Sequence, residues 1–389
     1  MSNIVKYKMN LEVLTPLHIS GADYKSRLGK KEYVFNKEEK TLTLIDNEKF
    51  VGFLIKKNLF DKYISYIENS VNAKVMIQNR NINLLNFLKA NNIDKDIKEY
   101  RKKAPIKVDM NIENMNDIKL MTRNVLGKPY IQGSSIKGAL VNFLLVDYII
   151  NNRNEFLKEK KEILSECRRA NDDRSVKNLK NEIKKIISRI EKFIIYGDNK
   201  ELEKSKKFGI SISDSYNYYD TRTNFYQDID EKRNAKTENE KNKTMPVVRE
   251  YIMVNSKFDF DITLDMDLLK ESELKIKNIN DLINSLENSV AYLINILEDK
   301  NSPRTENLIL GANTGFLQKT VVYALFEDKE ERLEVIKKLL HKSSKNVIGN
   351  HLNDKFAPRV LNRIKMGGKN QLAGLVRIKK VEEKNVGTN

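Results

Sequence analysis

Apolar and polar side chains alternate through Val5, Tyr7, Met9, Leu11 and Val13, the period of a half-buried strand. The run ends in Thr15-Pro16-Leu17-His18-Ile19-Ser20-Gly21. Two short apolar runs, 33–35 and 41–45, flank a polar turn at 36–40 and predict a hairpin. Asp46 then stands ahead of Phe50, Phe53 and Leu54, the spacing of a capped amphipathic helix. From there to Tyr100 the chain reads as mostly helical, and Arg101-Lys102-Lys103-Ala104-Pro105 closes that section. Residues 111–124 fit neither period. The run Ala139 to Ile150 reads as a helix opened by Gly133.

A charged block covers 151–207. In it Leu179, Ile183, Ile186, Ile187, Ile190, Phe193 and Ile194 mark one long amphipathic helix, with a partner from about Glu155 to Arg169, so the block reads as an inserted helical hairpin. Strand patterns return at 208–214, 247–252 and 258–264, and a helical stripe runs from Ile279 to Leu297. Residues 216–226 predict a projecting aromatic hairpin or loop, and 228–244 a flexible polar loop. Leu308-Ile309-Leu310 leads into a glycine-bracketed turn, and 375–381 is a closing strand. Strands and helices mix without βαβ rhythm, so the fold class is α+β with strands paired across long insertions.

Composition narrows the partners. The chain has 389 residues, 40% of them hydrophobic, enough for a large core. Its 71 basic and 54 acidic residues leave +17, which favours an anionic partner, either nucleic acid or an anionic membrane. Residues 337–380 hold 12 Lys/Arg and one acid, Asp354, a local 12 − 1 = +11. Apolar residues are interleaved there, which predicts a folded basic surface for nucleic acid. No apolar stretch reaches the length of a membrane span, the best one being broken by Asp147, and the first residues carry no signal-peptide pattern. A lone cysteine, Cys167, excludes an internal disulfide and fits a reducing cytoplasm. With three histidines besides, no metal and no cofactor is expected.

Residues 130–140, YIQGSSIKGAL, carry the sharpest local chemistry. A helix N-terminus presents free N–H groups and the positive end of the dipole. Ser134 or Ser135 fits the N-cap, Gly133 and Gly138 admit close backbone approach, and Lys137 adds a charge. A phosphate site and a plain capped helix behind a tight turn both fit. A Walker loop does not, because Lys137 precedes Gly138 and no hydroxyl follows. Gly311, Asn313, Thr314 and Gly315, followed by Lys319, repeat this logic. Arg249, Arg359, Lys365 and Lys369 are further candidate RNA contacts, and Tyr218, Tyr219 and Phe225 are candidates for stacking on bases or on a partner, with core packing the alternative that Tyr216 and Phe225 fit better.

The segments LTPLHISG, GKPYIQGSSIKGAL, ISISDS, VVREYI, LGANTGFLQKT and MGGKNQLAGLV occur in an order that resembles the RAMP superfamily of CRISPR proteins. Within it the chain is most similar to the subunit that caps the crRNA 3′ end in type III-A (Csm) effector complexes. Gln132 stands where the family usually has proline. The resemblance implies an RRM-like (ferredoxin-like) core with helical insertions: core segments at about 1–48, 105–140, 208–320 and 370–389, a helical insertion at 49–104, a helical hairpin at 141–207, and a basic helical and loop segment at 321–369. It implies a non-catalytic, cytoplasmic crRNA-binding subunit. Expected partners are crRNA, the backbone and small helical subunits, and a cellular maturation nuclease, with no membrane. Two other functions stay open, an endoribonuclease acting on precursor or target RNA and a scaffold that recruits a nuclease. Relatives that cleave use an aspartate after the first strand or a histidine as general base. Asp23 and His18 stand in comparable places, and neither is expected to be catalytic.

Overall fold

A computed structural model describes residues 3–21, 26–71, 83–108, 110, 116–170, 172–219, 221–233, 242–297, 303, 305–341, 351–355 and 357–385. β1 (Ile4–Val13) buries alternate side chains, as its period requires. After β2 (Arg27–Leu28), the hairpin β3 (Tyr33–Asn36) and β4 (Thr41–Leu44) turns through Lys40 at φ 50°. A helical unit follows: α1 (Asn47–Lys56), α2 (Phe60–Val71), α3 (Leu84–Ala90) and α4 (Ile97–Tyr100). Asp46 Oδ1 caps α1 by accepting the N–H of Lys49 at 3.2 Å. Phe50, Phe53, Tyr63, Phe87 and Tyr100 give this unit an aromatic core of its own.

β5 (Ile106–Lys107) joins the hairpin and β6 (Ile118–Lys119) leaves it. Then come α5 (Gly133–Asn151), α6 (Leu157–Arg169), α7 (Asp173–Tyr196) and α8 (Lys200–Ser205). The strands β7 (Ile210–Ile212), β8 (Tyr216–Tyr219), β9 (Thr223–Lys232), β10 (Asn242–Ile252) and β11 (Lys257–Asp265) follow. The chain closes with α9 (Met266–Lys270), α10 (Ile279–Leu297), β12 (Leu308–Ile309), α11 (Val322–Leu325), α12 (Lys329–Leu340), β13 (Val360–Met366), β14 (Lys369–Gln371) and β15 (Leu375–Asn385).

Three sheets result. The first runs β12-β15-β1-β11-β7, with β8 also on β11; the second runs β14-β13-β9-β10-β6-β2; the third is β3-β4-β5. α5 and α10 pack on each other over the inner face of the first sheet, where Met9, Leu11, Phe258, Phe260 and Ile262 are fully buried. Ser289 Oγ on α10 donates to Phe143 O on α5 at 2.6 Å, so the hydroxyl is satisfied inside the helix contact. The outer face of this sheet is a ladder of paired charges: Lys6 meets Asp261 at 2.9 Å and Lys8 meets Asp259 at 3.2 Å, both diagonally, and Arg377 meets its register partner Glu12 at 2.5 Å.

Several sequence expectations change. Of the polar stretch 228–244, residues 228–232 extend β9 and 242–244 open β10, where the two strands pair ahead of a register shift between Thr244 and Val248 and backbone pairing outweighs their polarity; 234–241 lie outside the described residues. Residues 360–366 and Lys369, placed in the helical and loop segment 321–369, belong to strands β13 and β14 of the second sheet. The aromatic run at 216–226 does not project. β8 hydrogen-bonds to β11 and β9 enters the second sheet, so the run crosses between sheets. Because α5 starts at Gly133, it is long and apolar enough by length and composition to span a membrane, but half of its apolar window is buried as a core helix.

Candidate nucleic-acid interface

At the N-terminus of α5 the cap is Gln132, not Ser134 or Ser135, and no side chain of the cap contributes. The chain enters helical geometry at Gly133, before either serine, so both serines fall inside the first turn. The N–H of Gly133 is taken by Asp214 Oδ1 at 2.7 Å, so a carboxylate already sits on the dipole there. A Cβ on Gly133 would lie 2.6 Å from Ile212 O and from Ser213 C; the glycine is there for the approach of β7's end. Gly138 faces no atom within 4 Å. Ser134 is exposed, and Ser135 and Lys137 are half-buried. The ammonium of Lys137 stands 5.8 Å from the ring centre of Phe208.

The second turn is built differently. Gly311 has φ +92°, and a Cβ there would lie 2.4 Å from His18 O, whose carbonyl accepts the N–H of Ala312 at 2.9 Å. Thr314 Oγ1 donates to Gly311 O at 3.0 Å. Asn313, at φ 60°, donates from Nδ2 to Tyr251 Oη at 3.3 Å and to Arg363 O at 3.2 Å. Gly315, at φ +98°, has no atom within 4 Å of its missing Cβ. The turn thus clamps the exit of β1 to the second sheet. A 3-10 turn, Leu317–Lys319, then packs on α5.

Arg249 belongs to the same region. Its Nε donates to Asp228 Oδ2 at 2.9 Å, and Tyr251 donates to the other oxygen at 3.0 Å. Burial raises the pKa of Asp228, against the pull of Arg249. Burial, and then repulsion from Arg249, lowers the pKa of Lys319, whose side chain reaches the surface. Asp228 and Tyr251 were not singled out from the sequence. The signal for Tyr251 was present in the alternation through Val248, Arg249, Glu250 and Tyr251, which puts Arg249 and Tyr251 on one face, whereas Asp228 lies on a different strand.

His18 is fully buried, with its ring 5.6 Å from that of Tyr251. Nδ1 lies 2.6 Å from Glu250 O, a group that only accepts, so Nδ1 carries the proton; Nε2 then accepts from Ser20 Oγ at 2.6 Å. Burial pushes the pKa of the ring down to about 4. The carboxylate of Glu250 is itself buried and receives Arg123, the N–H of Met121 at 3.0 Å and the hydroxyl of Thr223 at 2.7 Å. Asp23 lies outside the described residues.

The remaining candidates disperse. Phe225 is 3% exposed and packs with Leu28, Ile118 and Val248; strand alternation turns it into the core, so it offers no stacking face. Tyr218 and Tyr219 pair through β8 with Phe258 and Lys257, and their side chains lie outside the described part. Arg359 pairs with Asp354 at 3.1 Å. Lys365 and Lys369 are exposed at the β13–β14 tip, where Gly367 and Gly368 take φ 57° and 79°. The basic segment is not one surface. Lys338 is buried against Glu334 one turn earlier in α12 and Lys380 pairs with Glu383 on its own strand, while Glu231 and Glu12, from other elements, fold onto Arg363 and Arg377. Lys342 and Lys345 lie outside the described residues. Among the described residues no group of three His, Cys, Asp or Glu could hold a metal ion.

Comparison with known proteins fits this architecture. A protein named CRISPR system Cms protein Csm5 from Streptococcus thermophilus is 27% identical over 276 residues, 67% of this chain and 64% of that one. Its namesake from Enterococcus italicus is 29% identical over 154 residues, 34% of this chain and 41% of that one. The chain therefore matches less than two thirds of the length of either relative. Two solved structures share the fold. One is a chain in a cryo-EM structure of a Csm–crRNA–target RNA ternary complex of a type III-A CRISPR-Cas system (TM-score 0.60, 16% identity, 96% of this chain and 100% of that one). The other is the crystal structure of T. onnurineus Csm5 (TM-score 0.53, 15% identity, 81% of this chain and 92% of that one). A RAMP-superfamily profile matches residues 10–369, nearly the whole chain, and the chain belongs to the RAMP superfamily.

Proposed function

We propose that this chain is a non-catalytic, cytoplasmic crRNA-binding subunit of a type III-A CRISPR effector complex, one that holds the 3′ end of the crRNA. The observation that carries this reading is the shared fold with a chain of the Csm–crRNA–target RNA complex, matched over all of that chain. The first sheet supports an RRM-like core: β15-β1-β11-β7 has the order 4-1-3-2 of a ferredoxin-like sheet, with α5 and α10 as its two helices. Its outer face offers paired charges in place of the stacking aromatics of an RRM, which favours contact with RNA elsewhere. Ser135, Lys137, Gly315, Lys319 and Arg249, near the two turns, are the contacts we assign to the RNA backbone, with Lys365 and Lys369 at the hairpin tip.

Holding fits the chemistry of His18 better than cutting does. Both ring nitrogens are engaged, no solvent reaches the ring, and a base with a pKa of about 4 takes up a proton poorly at neutral pH. Purification of a tagged chain from its own cells tests the reading. Co-purification of crRNA and of the other complex subunits is expected, with no cleavage of RNA by the isolated chain. A chain that arrives without RNA, or that cleaves RNA by itself, overturns it.

A further inference from the structure

The second sheet aligns three cations that lie far apart in sequence. Arg27 on β2 is the register partner of Lys119 on β6, and Lys119 is the register partner of Arg249 on β10. Residues directly opposite across strands share a face, so the three side chains form one row. Two strand spacings separate its ends, about 10 Å. Arg27 is exposed, and Lys119 and Arg249 are half-buried. The groups sense one another. Burial, and then repulsion from Arg249, lowers the pKa of Lys119, with Arg27 adding a smaller push and Asp228 opposing it. Lys319 feels Arg249 in the same sense.

Lys119 and Arg249 share the carboxylate of Asp228, and Arg27 and Lys319 add to the positive charge that these two feel. On the outer face of the first sheet, by contrast, Lys6, Lys8 and Arg377 each meet a carboxylate of their own in Asp261, Asp259 and Glu12. Holding like charges in register costs stability, and an anion laid across the strands offsets that cost. A row of full charges with half-buried stems suits the phosphates of a single strand, which need charge and no base edge.

We propose that Arg27, Lys119 and Arg249 form a phosphate track for single-stranded RNA that crosses β2, β6 and β10 at right angles and ends at Lys319. The track rests on the RNA-binding reading above and adds Arg27 and Lys119 to it. It predicts a path over the second sheet, with the first sheet's charge ladder left free.

The test uses the full chain and a fluorescein-labelled oligouridylate, with affinity followed against salt. Each lost phosphate contact on a single strand lowers the slope of log affinity against log salt by about 0.7. Arg27→Ala and Lys119→Gln should each lower it by about that amount, and the pair by about 1.4. Lys119→Arg should keep the slope, and Lys177→Ala, an exposed charge on α7, should leave it unchanged. Thermal unfolding checks each variant, and exposed Arg27 tests the track even if Lys119→Gln does not fold. A folded Arg27→Ala, Lys119→Gln pair with the wild-type slope overturns the track while leaving RNA binding intact. Loss of a protein subunit from the complex with RNA affinity retained also overturns it, in favour of an acidic protein surface. Wild-type chain with no affinity for the probe refutes the RNA-binding reading itself.

Discussion

Tyr251 donates its hydroxyl to Asp228 at 3.0 Å, with no solvent-exposed surface of its own. Asp228 is thereby held between a phenol and the guanidinium of Arg249. A buried carboxylate so placed binds β9 to β10 and fixes where the cation points.

Asp228→Ala should strip Arg249 of its buried partner and destabilise the chain by about 3–5 kcal/mol. Tyr251→Phe keeps the ion pair and should cost about 1–2 kcal/mol, the loss of one buried donor and of the acceptor for Asn313. Denaturant unfolding of both variants gives the comparison. Equal losses would show that the ion pair adds nothing beyond the phenol's bond.

His18 predicts a pH dependence. Its folded pKa, about 4, lies below the ordinary 6.5, so the unfolded chain takes up a proton that the native chain rejects. The stability that follows is fully present above pH 6.5 and is lost as pH falls toward about 4, by about 3 kcal/mol in total. Unfolding free energies measured across that window should fall more steeply in wild type than in His18→Gln. Parallel curves would show that the ring is not excluding a proton.

The two glycines of the α5 turn should separate. Gly133→Ala puts a methyl 2.6 Å from Ile212 O, and the strand must move or the chain unfold. Gly138→Ala meets open space and should stabilise the helix by roughly 0.5–1 kcal/mol with RNA affinity unchanged. A loss of RNA affinity in a stable Gly138→Ala protein would mean that the ligand backbone passes directly over that residue.

Asp214 gives a test of phosphate at this helix. Asp214→Asn keeps an acceptor for the N–H of Gly133 but removes the negative charge from the N-terminus. Helix stability should fall by about 0.3–1 kcal/mol. Affinity for oligouridylate should rise if Ser135 and Lys137 hold a phosphate beside it. Unchanged affinity would make the turn purely structural.

Periodicity alone was enough for β1, the β3–β4 hairpin, α7, α10 and the α1 cap at Asp46, because side-chain alternation and capping are local effects. Arg249 and Lys319 also stood out, each beside a recognisable motif. Other features depended on contacts between distant segments. Polar residues at 228–232 and 242–244 became strands because each segment found a partner ladder. Phe225 turned inward once register assigned it to the face of Val248. The basic count at 337–380 dispersed when Glu12 and Glu231 folded against it. Arg27 and Lys119 sit on strands of two residues, too short for any period to show. Local sequence chooses the element, but a row of charges across strands is a property of register, which long-range pairing alone decides.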